Sequence, residues 1–348
     1  MRRMGGVLLL LACFVLLGSP ASAQGTYPNR PIRVLIPYAP GGLTDVVARY
    51  YGDYIRKTMG QNVLVENKPG ASGIIAIEEL ARAKPDGYTI MVGNISTNCL
   101  TPVLLAKRMR IDYDKDVQII ARLADTPVFF MATTVNFPPK TFAEFVDYAK
   151  AHPDEVRYAS AGVGAYQHVN TEILAKRAGG LKLVHIPFKD GGPGILKDIA
   201  GGDTQVSWFN VSNSVGMIKA GRVRPLAVAA DARLPAWPDV PTIAEVGFPG
   251  FRPSQWSAAF APAGVPREII DKLHAAFTEA ARTPELQAIF EKSGMFAPVD
   301  KTADDARSWL KNEMETWRRD IADAGVKAAD IAEVVLVGVM TRMPRVRE

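Results

Sequence analysis

The sequence has almost no cysteine: two occur, Cys13 and Cys99. Cys13 falls inside an N-terminal segment that reads as a leader, so the mature chain keeps Cys99 alone and can form no internal disulfide. Stability must therefore come from a core. Histidine is nearly as scarce. His152, His168, His185 and His274 are scattered and no H-E-x-x-H pair occurs, so the pattern offers no zinc centre. There is no G-x-S-x-G elbow, no P-loop and no G-x-G-x-x-G after a strand, and Cys99 has no recognisable catalytic context. Together these absences point away from an enzyme and from any cofactor. No long Lys/Arg run or basic stripe with interleaved aromatics is present, which argues against a nucleic-acid partner. The longest apolar run is also well short of the roughly 20 residues that cross a bilayer.

That run, Val7 to Leu17, follows Arg2 and Arg3 and precedes a small-residue exit at Ala21-Ser22-Ala23. This is the order of a secretory signal peptide, predicted here as residues 1–23 with cleavage after Ala23 and a periplasmic destination. A lipid anchor on Cys13 fits less well, because Phe14-Val15-Leu16-Leu17 stays apolar where a lipoprotein cleavage site turns small and polar. Loss of Arg2 and Arg3 lowers the net charge of +5 to +3, a mild bias toward anions. About 325 mature residues exceed one comfortable domain, so two lobes are expected.

From Ile32 onward the chain alternates apolar strands with helices. Ile32 to Ile36 is a short β-branched run. After a Pro/Gly loop, Val47, Tyr51, Tyr54 and Ile55 recur at helical spacing within Thr44 to Met59, with Thr44 as the expected cap and Gly60 as the stop. Strands follow at 62–65, 88–92, 118–123 and 128–133, with a helix near 72–83. A second series runs from Thr141: helices at 141–151, 164–177 and 192–200 alternate with strands at 156–159, 181–186, 204–209 and 225–230. The end of the chain reads as one apolar segment at 256–261 and helices at 266–282, 284–293 and 302–324. This rhythm predicts α/β lobes built on largely parallel sheets, the chain crossing near residue 128 and returning near residue 230.

Ligands of open α/β sheets sit at the carboxyl ends of strands, where helix N-termini present unpaired N–H groups. Two loops suit that role. In the first, Tyr38, Ala39, Gly41, Gly42 and Thr44 lie in a Pro/Gly turn that lets backbone amides approach an anion. The second contains Ser160, Gly162, Gly164, Tyr166 and His168; Ser160 or Tyr166 could offer a hydroxyl, and His168 is expected to brace the loop rather than act on a ligand. One such helix start in each lobe predicts a ligand carrying a carboxylate at one end or both.

The segments Tyr27-Pro28-Asn29-Arg30-Pro31-Ile32, Pro40-Gly41-Gly42, Thr44-Asp45, Val65-Glu66-Asn67-Lys68-Pro69-Gly70-Ala71 and Lys84-Pro85-Asp86-Gly87-Tyr88-Thr89 resemble the tripartite tricarboxylate transporter substrate-binding (Bug) family. So do Tyr158-Ala159-Ser160-Ala161-Gly162, Ile218-Lys219-Ala220-Gly221, Pro238-Asp239-Val240-Pro241-Thr242 and Phe260-Ala261-Pro262-Ala263-Gly264. The matches run in order over about residues 27–328. The resemblance implies a two-lobed periplasmic binding-protein fold, type II-like, that closes as a flytrap. Residues 24–127 plus 231–328 would form one lobe and residues 128–230 the other. It also implies a small di-, tri- or aromatic carboxylate held at the two loops, delivery to membrane permease subunits, and a monomer. Asn94 and Thr97, after the strand ending near Val92, become candidates by position. An exported sensor presenting the same ligand to a membrane receptor is the alternative use of such a binder.

Two stretches depart from the family. Phe209 stands where the family commonly has an aspartate, which replaces a partner for a ligand ammonium with an apolar surface. Residues 329–348 form an atypical extension in which Asp330-Ile331-Ala332-Glu333-Val334-Val335-Leu336-Val337-Gly338 is similar to a short piece of an Hsp70 nucleotide-binding domain. A fragment of that length cannot build a nucleotide site.

Overall fold

The computed structural model describes residues 27–188, 192–251, 253, 255–298 and 300–325; the leader and the extension at 329–348 lie outside the described residues. Strand β1 (Ile32–Ile36) alternates its faces with period two. Ile32, Val34 and Ile36 enter one apolar cluster and Leu35 another, so helices cover the strand on both sides. Around it lie β2 (Val63–Asn67), β3 (Thr89–Asn94), β4 (Val117–Thr126) and β10 (Gln255–Pro262), in the order β2-β1-β3-β10-β4. β1 pairs in parallel with β2 and β3, while β10 runs antiparallel to both β3 and β4. All but β10 therefore point the same way.

The second sheet repeats the plan with β5 (Val128–Thr133), β6 (Arg157–Ser160), β7 (Val184–Pro187), β8 (Val206–Asn210) and β9 (Val223–Ala229), ordered β7-β6-β8-β5-β9. Here β5 is the one reversed strand. This is the two-lobed α/β architecture that the strand and helix rhythm predicts. The mostly parallel sheets hold in strand direction, each with a single reversed strand. β4 passes into β5 through Pro127 alone, so the two sheets are joined there by one residue.

Helix α1 (Leu43–Met59) covers the first sheet through Val47, Ala48, Tyr51 and Ile55. It begins one residue before the predicted start, and Thr44 is not its cap. Gly42 holds the N-cap place without a side-chain hydrogen bond, and the Thr44 hydroxyl instead accepts from Asn94 Nδ2 at 3.1 Å. Further along come α2 (Ile74–Ala81), the short α3 (Thr101–Leu104) and α4 (Tyr113–Asp116), α5 (Phe142–Ala151), α6 (Tyr166–Arg177), α7 (Gly192–Gly201) and α8 (Val211–Lys219). α8 was not expected: Val211-Ser212-Asn213-Ser214 has few strong helix formers, and packing against β8 and β9 decides the conformation.

After α9 (Arg267–Ala281) and α10 (Pro284–Ser293), the chain ends its described part in α11 (Ala303–Ala324). A capping box between Thr302 and Asp305 starts α11, and Ala306, Leu310, Met314, Trp317 and Ile321 form its buried stripe. That stripe meets β4 in one lobe and α6 in the other. Arg177 of α6 pairs with Asp320 at 3.1 Å, so α11 braces both lobes.

Charges gather where β4 leaves the first sheet. Arg122 binds Asp300 through two nitrogens at 2.7 and 3.0 Å, reaches Asp125 at 3.3 Å and lies over the Trp309 ring. Glu313 accepts from the indole N–H groups of Trp256 and Trp317 at 3.1 and 3.0 Å. Burial, with Asp300 and Glu313 nearby, raises the Asp125 carboxyl to about 6 against the opposing pull of Arg122. A folded-state pKa above the unfolded value of about 3.9 means that this group's contribution is full below about pH 4 and is lost as pH rises through about 6. Asp125→Asn is expected to flatten the decline of melting temperature across that window. An unchanged decline in the variant would place the pH dependence on other groups.

Candidate functional site

The first candidate loop leaves β1 at Ile36 and enters α1 at Leu43. Gly41 has φ +87, a conformation that favours glycine. Its N–H donates to Asp45 Oδ2 at 3.0 Å, so that amide is taken. Asp45, almost fully buried, also accepts from Arg49 through two nitrogens and from Asn67 Nδ2, each at 3.0 Å. Asn67 further donates to the Tyr38 carbonyl at 2.9 Å. Burial works to raise the Asp45 carboxyl, but Arg49, the Gly41 N–H and Asn67 outweigh it and hold it below the usual range. The loop is thus tied to its own helix. The first amides of α1, those of Leu43 and Thr44, lack an intrahelical acceptor and sit behind a glycine with no capping side chain.

Asn94, at the end of β3, joins this loop to the next. Its Oδ1 accepts from the Tyr38 hydroxyl at 2.7 Å and from the Ser96 N–H at 3.0 Å, and its Nδ2 reaches Thr44. Burial pushes the Tyr38 hydroxyl up to about 12, so it is a neutral donor at working pH. Thr97 is buried; its hydroxyl donates to Asn98 at 2.7 Å and accepts from the Asn94 N–H at 3.2 Å. Its place is inside the turn, where it shapes the π-helical segment Ser96–Leu100.

In the second lobe the loop from β6 to α6 needs glycine at Gly162, where φ is +122. Ser160 is buried and holds its own turn: its hydroxyl donates to the Gly162 carbonyl at 2.9 Å and accepts from the Gly162 N–H at 3.0 Å. His185 Nε2 lies 2.5 Å from the same oxygen. His168 Nδ1 accepts from the Gly164 N–H at 3.2 Å, and the rings of Tyr158, His185 and His168 form a stack. Burial and the neighbouring His168 push His185 down to about 3, so its ring is neutral. Helix α6 starts behind Ala165, again with no side-chain cap.

The expected residues divide into two groups. Backbone amides of Leu43 and Thr44 lie at the start of α1 and that of Gln167 at the start of α6, while the Tyr166 N–H is taken by the Ser96 hydroxyl at 3.2 Å. Side chains of Asn94, Thr97, Ser160 and His168 position these loops. The Tyr166 side chain is fully buried, so it brings its N–H rather than a hydroxyl to the loop. Phe209 is 5% exposed and packs among Phe129, Ile195 and Val228; its ring also abuts Gly192 at the start of α7. Sequence reasoning passed over Asp45, Asn67 and His185 as site-shaping groups, and over Ser96. Asp45 and Asn67 each stand at an element end beside the glycine loop. His185 lies far off in sequence, and only the parallel β6–β7 register brings it beside Tyr158. Among the described residues no group of three or more His, Cys, Asp or Glu could hold a metal ion, and no helix is long and apolar enough to cross a membrane.

Known proteins share this fold. Residues 47–326 match the tripartite tricarboxylate transporter family receptor. Protein BugT of Bordetella pertussis is 31% identical over 311 residues, which cover 89% of this chain and 94% of that protein. MatC from Rhodopseudomonas palustris with bound malate is 32% identical, with a TM-score of 0.77 over 85% of this chain and 100% of that one. An R. palustris protein with adipate is 27% identical, with a TM-score of 0.79 over 86% and 98%. Match length and shared fold agree: the chain belongs to the tripartite tricarboxylate transporter receptor family, a family of periplasmic solute-binding proteins and not of enzymes.

Proposed function

We propose that this protein captures a small carboxylate between its lobes and delivers it to the membrane subunits of a tripartite tricarboxylate transporter. The observation that carries the reading is the pair of helix starts whose own N-cap residues offer no capping side chain, α1 behind Gly42 and α6 behind Ala165, one in each lobe. Each dipole contributes only about 0.3–1 kcal/mol, so hydrogen bonds from the amides supply most of the affinity. Relatives with malate and with adipate support the carboxylate class. Phe209, set in an apolar cluster, supplies no acidic partner for an ammonium, which favours carboxylates without an amine. In this reading residues 1–23 direct export and are removed. Residues 24–127 plus 231–328 close against residues 128–230.

A thermal-shift panel of mono-, di- and tricarboxylates tests the proposal. At a hundredfold excess over Kd a ligand selective for the folded state adds about 2.7 kcal/mol, and at least one carboxylate is expected to raise the melting temperature by several degrees. Silence from the whole panel at millimolar concentration, alongside a response to a neutral solute, would overturn the carboxylate assignment.

A further inference from the structure

Besides the Arg177–Asp320 pair, a hydrogen bond joins the two lobes at the candidate loops themselves. Ser96 begins the turn after β3 in the first lobe, and its hydroxyl accepts the Tyr166 N–H of the second lobe at 3.2 Å. Tyr166 is the first residue of α6, whose N-cap, Ala165, has no side chain able to cap. The serine hydroxyl thus satisfies from the other lobe one of the helix-start donors that α6 leaves without an intrahelical acceptor. It is held for that purpose. Asn94 Oδ1 fixes the Ser96 N–H at 3.0 Å and receives the Tyr38 hydroxyl at 2.7 Å, and the Tyr38 hydroxyl also interacts with Ser96. Ser96 is only half-buried.

We propose that Ser96 is a closure latch, capping α6 from the opposite lobe when the cleft shuts and so setting how long a solute is held. The bond exists only while the lobes meet. When they part, water takes the Tyr166 N–H and the Ser96 hydroxyl at little cost, so the contact biases the open–closed equilibrium without changing either lobe. A ligand that binds the closed form gains affinity in proportion to the closed fraction. This inference rests on the two-lobe binding mechanism proposed above but not on the ligand being a carboxylate.

The test uses Ser96→Ala and the conservative Ser96→Thr, with two measurements. Spin labels at exposed Lys57 and Glu155, one on each lobe, report the interlobe distance of the ligand-free protein. Stopped-flow displacement of the carboxylate that most raises the melting temperature reports release. Ser96→Ala is expected to move the distance distribution to longer values and to speed release about fivefold, the loss typical of a removed N-cap. Ser96→Thr, which keeps the hydroxyl, is expected to restore both. An unchanged distance distribution in Ser96→Ala overturns the latch, and faster release without that change means that Ser96 acts on the solute directly. If no carboxylate binds yet the distribution shifts, the latch stands and the carboxylate reading falls.

Discussion

Gly42→Asp is expected to remove carboxylate binding while leaving the fold intact. Gly42 has φ −74 and ψ 166, an extended conformation open to any residue. A side chain there would meet only the Ala39 carbonyl, at 3.9 Å. Aspartate is among the best N-cap residues, so α1 itself is expected to gain a few tenths of a kcal/mol. The new carboxylate would accept the same N–H groups that the ligand is proposed to use. It would also repel a ligand anion about 4 Å away by up to about 4 kcal/mol at the effective dielectric of a protein surface. Even with half of that lost to solvent screening, repulsion alone lowers the affinity about thirtyfold, and competition for the amides adds to it. Calorimetric titration of the variant checks this, and Gly42→Asn separates the causes by keeping the cap while omitting the charge. Wild-type affinity in Gly42→Asp, with the melting temperature preserved, would remove the first loop from the site.

Much of this arrangement was legible before any coordinates. Strands such as Ile32–Ile36, apolar but for Arg33, and Val128–Thr133 are short apolar runs, and α1 carries its buried stripe at plain helical spacing. Both signals are local and survive any tertiary context. The reversed strands were not legible, because a strand's direction depends on where its partner lies. β10 pairs with β4 from more than a hundred residues away. α8 and the π-helical turn at Ser96–Leu100 were missed for a related reason: polar and β-branched residues there take helical form only because of neighbouring strands.

Within the site, glycine loops announce themselves in sequence because backbone conformation limits which residues can stand there. The groups that hold those loops do not. Whether Ser160 offers its hydroxyl to a ligand or to its own turn depends on Gly162 and on His185, the latter brought in by a parallel strand. The Tyr166 hydroxyl likewise turns inward because α6 buries that face. Sequence therefore marks the loops as candidates, and packing decides which atoms of each residue turn inward.

Asp45 is where loop shape and stability meet, and Asp45→Ala is expected to damage both. Its carboxylate gathers the Gly41 N–H, Asn67 Nδ2 and two Arg49 nitrogens. Truncation removes the acceptor of the Gly41 N–H and one of the two acceptors of Asn67 Nδ2; Gly41 is exposed and Asn67 partly buried. Arg49 is half exposed, so water receives these donors and the loss stays near that of an ordinary hydrogen bond, about 1 kcal/mol. Denaturant unfolding at neutral pH measures it. The carboxyl is held below its usual range, so its contribution is present above the unfolded pKa and is lost as pH falls through the lower folded value. The gap between wild type and variant should therefore close in acid. Binding should suffer separately: with Gly41 released and Asn67 no longer fixed between Asp45 and the Tyr38 carbonyl, the amides of α1 lose their preset approach to an anion. A tenfold or greater loss of affinity is expected at temperatures where the variant remains folded. Lower stability with wild-type affinity would mean that α1 alone, and not the carboxylate beneath its first turn, fixes the geometry of the loop.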